Sequence, residues 1–326
     1  MPNPVLVEVT RSALVESVHR GAIAIADADG ALRFALGDVE SPVYPRSALK
    51  PIQALPLLAS GAAEAFALSD EEIALAAASH SGEPTHTALI AAWLKRIGCS
   101  ESDLACGPQP PRHEPAWEAM LRRGEKPTRL HNNCSGKHTG FLTVARHWDL
   151  AVAGYERIDH PVQQAVAKIL SELSGVADLP WGVDGCAAPN FALPLSGFAC
   201  ALAKLAARRA LGGERILGAM MSYPELVAGT GRACTALIRA AEGRAVVKVG
   251  AEGVYAGMIP ARGLGIALKI DDGATRAAET AIAAVLLSLK VMNETARAFV
   301  RAPVLNTRGE PVGERRPAPA LADASF

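Results

Sequence analysis

The strongest constraint in this chain is where its residue period changes. Val5-Leu6-Val7-Glu8-Val9-Thr10 is β-branched and partly alternating, and 18–25 and 31–35 flank Asp27-Ala28-Asp29-Gly30, a glycine-containing hairpin turn. The pattern returns after Arg244: Val246, Val247 and Val249, then 253–259, then 265–270, read as three strands of an antiparallel meander. Val304 to Pro311, with Arg308-Gly309-Glu310 at a turn, adds a candidate edge strand. The stretch between the two groups is alanine-rich and helical in pattern. This order predicts an α+β fold in which N- and C-terminal strands share one antiparallel sheet around a central helical block. No repeat or linker interrupts it, so 1–316 reads as one domain and the Pro- and Ala-rich 317–326 as a loose C-terminal tail.

Within the block, Ser69-Asp70-Glu71-Glu72 is a helix start, an N-cap serine followed by carboxylates in the first turn. Thr85 to Ile97 is amphipathic and stopped by Gly98. His160-Pro161 opens a helix to about Leu173, further helices cover about 191–211 and 213–222, and 274–289 is a long apolar one. The segment after Tyr44 is less regular. Pro51 disfavours helical geometry at Lys50, and Pro56 kinks the apolar run around it.

Charge and cysteine usage remove whole classes of function. Thirty-three basic and 33 acidic side chains cancel without a block of either sign, so nothing builds the electropositive footprint nucleic acid requires. Glu8 and Glu16 sit where a secretory leader would be basic and then apolar. No apolar run approaches the roughly 18–20 residues of a membrane span. The expected location is cytoplasmic. Six cysteines in 326 residues are too sparse for a disulfide scaffold and point to metal binding or reactivity.

Four polar islands break the helical pattern: 44–53, 79–86, 131–138 and 184–190. The first, Tyr44-Pro-Arg-Ser-Ala-Leu-Lys-Pro-Ile-Gln53, sets the Ser47 hydroxyl three positions before the Lys50 amine. Residues three apart on a helical turn share a face, about 5–6 Å between Cβ atoms. A neutral amine can activate a serine, and burial or a second cation keeps an amine neutral. Alone, the pair reads first as a capping serine and a solvated lysine, and only its context can move that reading. Lys248, in Val247-Lys-Val-Gly250, occupies the place of Lys-Thr-Gly in serine β-lactamase chemistry, with valine for the threonine. A strand lysine is otherwise a solvated side chain. His80 and His86 allow a serine–histidine reading. Cys134 and Cys186 each lie beside glycine and an ionisable group, not in a helix stripe. Their bland role is that of small buried thiols. As a metal pair they need further ligands: His131, His138 and Asp184 are conventional, and Lys137 could bind only as the free amine.

Together the islands resemble those of the Rhizobium etli-type L-asparaginases (class 3, the thermolabile or inducible kind), whose fold is similar to that of serine β-lactamases. The similarity runs over about 5–312 in five strings: Tyr-Pro-Arg-Ser-Ala-Leu-Lys-Pro-Ile-Gln at 44–53, Ser-His-Ser-Gly-Glu at 79–83, Asn-Asn-Cys-Ser-Gly-Lys-His at 132–138, Val-Asp-Gly-Cys-Ala-Ala-Pro-Asn-Phe at 183–191 and Leu-Gly-Ile-Ala-Leu-Lys at 264–269. It implies a single β-lactamase-like catalytic domain. Ser47 with Lys50 would be one Ser–Lys tandem, Ser47 the nucleophile, and Ser79 with Lys248 the second. Around 260–263 the chain reads Pro-Ala-Arg-Gly where the resemblance would imply more lysine, so either Lys248 or another residue near 260–263 completes the second tandem. Cys134, Lys137 and Cys186 would hold zinc that orders the site without activating the nucleophile. Arg46, His138 and Asp184 would face the substrate, and the enzyme would be a homodimer.

The implied reaction is attack of Ser47 on the side-chain amide of L-asparagine, loss of ammonia, and hydrolysis of the aspartyl ester. Two rivals belong to other classes. Another Ser–Lys acyl hydrolase, of the β-lactamase or peptidase type, shares the nucleophile but leaves the cysteine islands unexplained. A non-catalytic zinc- or amino-acid-binding relative keeps the fold without turnover.

Overall fold

The computed structural model describes residues 2–207 and 211–326. Its contacts divide the chain into two compact units: Met1–Ala48, Ala192–Ala207 and Ala236–Phe326 form one, Leu49–Phe191 and Arg208–Thr235 the other. Sequence alone predicts one domain, 1–316. The backbone passes between units at 48/49, 191/192, 207/208 and 235/236, none of them a glycine- or proline-rich linker, so composition carries no boundary.

The first unit holds the sheet. Its strands run in the order Ala302–Leu305, Pro311–Pro317, Val5–Arg11, Leu14–Asp27, Leu264–Ile270, Val254–Ile259, Val246–Val249, with Leu32–Leu36 paired to Leu14–Asp27 off that path. Strands from both ends of the chain lie side by side, as the change of period predicts. Leu14–Asp27 is the spine. Its first half pairs with Val5–Arg11 and its second with Leu264–Ile270. Gly21 stands at the hand-over, where a Cβ would lie 2.2 Å from the Lys269 carbonyl oxygen.

Two glycines show what covers the sheet. Gly257 is paired with Ile266, and Met258 with Gly265; successive residues on a strand point to opposite faces. A Cβ on Gly257 would touch Ile282 of the helix Thr275–Ser288. One on Gly265 would lie 2.2 Å from Ala199 O and Ala203 N of the helix Leu195–Ala206. The two helices therefore cover opposite faces. This is why Val254–Ile259 is buried at every position instead of alternating. The helix expected over 191–211 is realised as Leu195–Ala206, and 208–210 lie outside the described residues.

The expected loose tail is packed. Pro311–Pro317 pairs with Val5–Arg11 on one side and Ala302–Leu305 on the other. Ala318 N donates to Leu6 O at 2.9 Å, and Leu321 is buried on the short helix Pro319–Ala322. Pro319 sits in that helix's first turn, where a missing N–H costs nothing. Composition signalled disorder, but Ala318 and Leu321 had apolar surface to cover.

The second unit is mainly helical. Ser69 and Glu72 form the expected capping box at Asp70–Ala76. Pro84–Arg96, Ser135–His147 and Pro161–Ser174 come next, the last capped by His160 and ended by Gly175 in the left-handed region. Lys50–Gln53 and Leu55–Ala59 are short separate helices with Pro51 and Pro56 in their first turns, the irregularity those prolines predict. Trp181–Val183 and Pro189–Phe191 form a hairpin whose tip is 184–188. Among the described residues no helix is long and apolar enough to cross a membrane.

Candidate active site

Lys50 and Ser79 meet inside the second unit. Lys50 begins its short helix and is 1% exposed; Ser79 follows the helix Asp70–Ala76, its N–H on Val227 O at 2.9 Å. Lys50 Nζ donates to Ala78 O at 2.5 Å, to Ser79 Oγ at 3.0 Å and to Asn133 O at 3.2 Å. An ammonium would give all three bonds. Burial, however, pushes this amine below the ordinary lysine range, with Lys137 adding to the effect and Cys134 opposing it. A neutral amine has two N–H bonds and a lone pair. Carbonyls only accept, so the two N–H bonds go to Ala78 and Asn133, and the lone pair is left for the Ser79 hydroxyl. The resemblance pairs Ser79 with Lys248; the residue that the structure sets on Ser79 within the second unit is Lys50.

Ser47, Arg46 and Lys248 lie in the first unit. Arg46 has φ +51°, a left-handed conformation costly for a side-chain-bearing residue, and Ser47 follows it in the 3-10 turn Arg46–Leu49. Strain of this kind clusters where a neighbouring side chain must be aimed. Lys248 is fully buried in Val246–Val249 and donates to Val249 O at 2.9 Å, so it is no solvated strand lysine. Gly250 ends that strand against the serine's own turn. A Cβ there would lie 2.5 Å from Pro45 O and 3.3 Å from Ala48 Cβ. The glycine of Lys-Val-Gly is thus required by the approach of the strand to the turn that carries Ser47.

Cys134, Lys137 and Cys186 form a second buried cluster. Cys134 caps the helix Ser135–His147, Lys137 lies in its first turn, and Cys186 comes from the hairpin tip. Gly136 permits the seating of that helix: a Cβ would lie 2.4 Å from Leu75 O. Lys137 Nζ donates to Cys186 Sγ at 3.1 Å. A hydrogen bond from Cys134 pulls the Cys186 thiol down to about 4, the Lys137 charge adding to it, while the same bond and burial push Cys134 up to about 12. Burial disfavours charge on Lys137, but Cys186, Cys134 and Asp184 more than offset it and raise its pKa. Asp184 accepts from Gly185 N at 2.7 Å, and Ala187 beside it has φ +74°.

This cluster fits a metal only on one condition. Among the described residues no three His, Cys, Asp or Glu side chains gather where they could hold an ion. Of the conventional partners, His131 and His138 spend Nδ1 on Thr128 and Tyr155, which does not itself bar a metal from Nε2, but among the described residues neither ring nor Asp184 gathers with the two sulfurs into a group that could hold an ion. Two sulfurs and one amine remain, a donor set suited to zinc. In a tetrahedral site, ligand atoms about 2.0–2.3 Å from zinc lie roughly 3.5 Å from one another, close to the Lys137–Cys186 separation.

His80 and His86 have both ring nitrogens committed. His80 Nδ1 accepts from Gly82 N at 3.1 Å and its Nε2 lies 2.9 Å from Ser135 Oγ. His86 Nδ1 accepts from Glu83 N at 3.1 Å, and Nε2 donates to Glu225 O at 3.0 Å. Burial holds both rings neutral, and neither has a free lone pair for a serine. His138 is fully buried, its pKa lowered to about 3 by burial and then by Lys137. Its partner Tyr155, 2.6 Å away, is a residue that sequence reasoning misses, as is the Asn133 carbonyl beneath Lys50. Tyr155 stands in an irregular segment with no motif around it. Asn133 was within reach, since it lies inside the 131–138 island.

No curated protein matches this chain in sequence. Among solved structures it is similar to a beta-lactamase from Mycobacterium bovis (12% identity, 83% of this chain and 95% of that one, TM-score 0.44). It is also similar to the octameric penicillin-binding protein homologue from Pyrococcus abyssi (15%, 89% and 80%, 0.43) and to simvastatin synthase from Aspergillus terreus (11%, 77% and 87%, 0.41). Residues 7–317, nearly the whole chain and all of the islands, match the family model described as L-asparaginase II, and the chain belongs to that family.

Proposed function

We propose that this protein hydrolyses L-asparagine to L-aspartate and ammonia through an acyl-enzyme on Ser47. Within a chain of the L-asparaginase II family, the observation that supports a Ser–Lys route is the buried Lys50 amine, lowered in pKa and bonded to a serine hydroxyl. Lys50 takes the Ser47 proton as Oγ attacks the amide carbon, Ser79 relays it to the departing nitrogen, and ammonia leaves. Water then adds to the aspartyl ester and gives its proton to the same base, and Ser47 is released. Lys248 is the second amine of the site. Arg46, His138 and Asp184 orient the substrate. The test is ammonia released from asparagine, from glutamine and, separately, opening of a chromogenic β-lactam. Ammonia release from asparagine without β-lactam opening is expected. β-Lactam opening without ammonia release would transfer the reading to the rival acyl hydrolase.

Cys134, Lys137 and Cys186 would hold zinc, which when bound supplies order to the pocket wall. The chain's part is to keep two thiols and an amine close and buried; loading must displace the protons that Cys134 and Lys137 retain without metal. Zinc counted per chain should fall from near one to near zero in Cys134→Ser, and an unchanged count would defeat the assignment. We further propose a cytoplasmic homodimer. A sedimentation mass of one chain at micromolar concentration would overturn the dimer, and recovery in a secreted fraction the location.

A further inference from the structure

We propose that Tyr155 is a positioning residue that locks His138 as a hydrogen-bond donor through Nε2, aimed at an acceptor oxygen of the bound substrate. The inference rests on the proposed place of His138 at the asparagine site. The geometry is a relay of three groups. Ala105 N–H donates to Tyr155 Oη at 2.9 Å, and Tyr155 Oη lies 2.6 Å from His138 Nδ1. The phenol is 1% exposed and the imidazole 0%. Their rings meet edge to face, centroids 5.6 Å apart, with Phe141 packed against the imidazole from another side at 6.0 Å.

The tautomer is decided by counting partners. Among the described residues the Tyr155 hydroxyl proton has one acceptor in reach, His138 Nδ1, its other contact being the donor Ala105 N–H. If Nδ1 carried the imidazole proton, that hydroxyl proton would be stranded and Nε2 would be a second orphan, an unpaired acceptor. With the proton on Nε2, Tyr155 donates to Nδ1 and one orphan remains, the Nε2–H itself. Every buried polar group left unpaired carries its full desolvation cost, so the arrangement with one orphan is the populated one. Nε2 has no partner among the described residues and is shut off from solvent. A buried donor left unpaired on the residue after Lys137 calls for an acceptor that the described residues do not supply, and a carboxylate or amide oxygen of asparagine is of the right chemistry.

Tyr155 is itself held. Gln163, fully buried on Pro161–Ser174, donates from Nε2 to Tyr155 O at 2.9 Å, so the segment carrying the phenol is tied at its main chain and at its hydroxyl. His138 sits one helical position after Lys137, which fixes its Cα on the helix Ser135–His147. With both backbones held, the remaining freedom of the imidazole is its flip and its tautomer, and the Tyr155 hydroxyl decides both.

The experiment is a long-range proton–nitrogen correlation spectrum of the intact protein labelled with 15N in its histidines, His138 being assigned by its absence in His138→Gln. The expected pattern is the Nε2–H tautomer in the wild type. In Tyr155→Phe, which keeps the ring and removes the hydroxyl, Nδ1–H should appear. KM for asparagine should rise about 5- to 10-fold while kcat changes less than about 2-fold, since a donor lost to part of the population weakens binding first. An Nδ1–H pattern in the wild type would overturn the proposal without any variant. An unchanged tautomer in a folded Tyr155→Phe would do the same, as would a KM that does not move. The spectrum needs no turnover. Absence of asparagine hydrolysis by the wild type therefore defeats the substrate reading alone, and the tautomer result stands or falls separately.

Discussion

Lys50→Met and Lys50→Arg should both lose asparagine turnover, each by about 10³-fold or more in kcat, while remaining folded. The two variants separate roles that one alone would confuse. Methionine is close in length and has no charge, no donor and no base. Arginine keeps charge and donors but cannot give up its proton near neutrality. A lysine that served only as a buried cation would be largely rescued by arginine. A lysine that accepts the serine proton would not. Burial favours the second role, because it disfavours the charged form of this amine and lowers its pKa. Losing the amine leaves Ala78 O and Asn133 O short of a donor, a destabilisation of about 1–3 kcal/mol each that removal of a buried titratable group partly offsets. The measurement is steady-state ammonia release with circular dichroism melting as control. A folded Lys50→Arg with near wild-type kcat would eliminate Lys50 as the base.

What could be read from sequence was what is local. The period change located the strands, and the mixing of both chain ends in one sheet followed from there being too few strands at either end alone. Cys134 and Cys186 were conspicuous because glycine and ionisable groups stand beside them. What could not be read depended on close approach between distant segments. Lys50 reaches Ser79 because the helix Asp70–Ala76 stops where it does, and because Gly136 lets the helix Ser135–His147 sit against Leu75, bringing the Asn133 carbonyl under the amine. Neither fact has a signature in the 79–83 string. Gly250 was visible as part of a triplet, but its reason, the Pro45 oxygen 2.5 Å from where a Cβ would be, belongs to the fold. Tyr155 shows the limit most plainly: a fully buried phenol whose two partners, Ala105 and His138, come from segments 50 and 17 residues away.

Ser47→Ala and Ser79→Ala should fail in different ways, and the difference identifies the nucleophile. Ser47 follows Arg46 in a left-handed conformation and lies in the turn against which Gly250 closes; a residue so placed is held for aim. Ser79 is 3% exposed and already engaged with Lys50, a setting suited to passing a proton. Ser47→Ala should therefore lower kcat by about 10⁴-fold or more and give no covalent intermediate, because the acylated atom is gone. Ser79→Ala should cost about 10²–10³-fold and still form the aspartyl ester, since it removes only the relay. Acid quench during turnover and then intact-protein mass spectrometry reads the ester directly, and peptide mapping assigns it to 44–53 or 79–86. With Ser79→Ala the slowed steps should raise the acylated fraction if deacylation suffers more, or lower it if acylation does, but the adduct should stay on Ser47. An adduct on Ser79 in Ser47→Ala, with turnover retained, would exchange the two roles and make the Lys50–Ser79 pair the primary dyad.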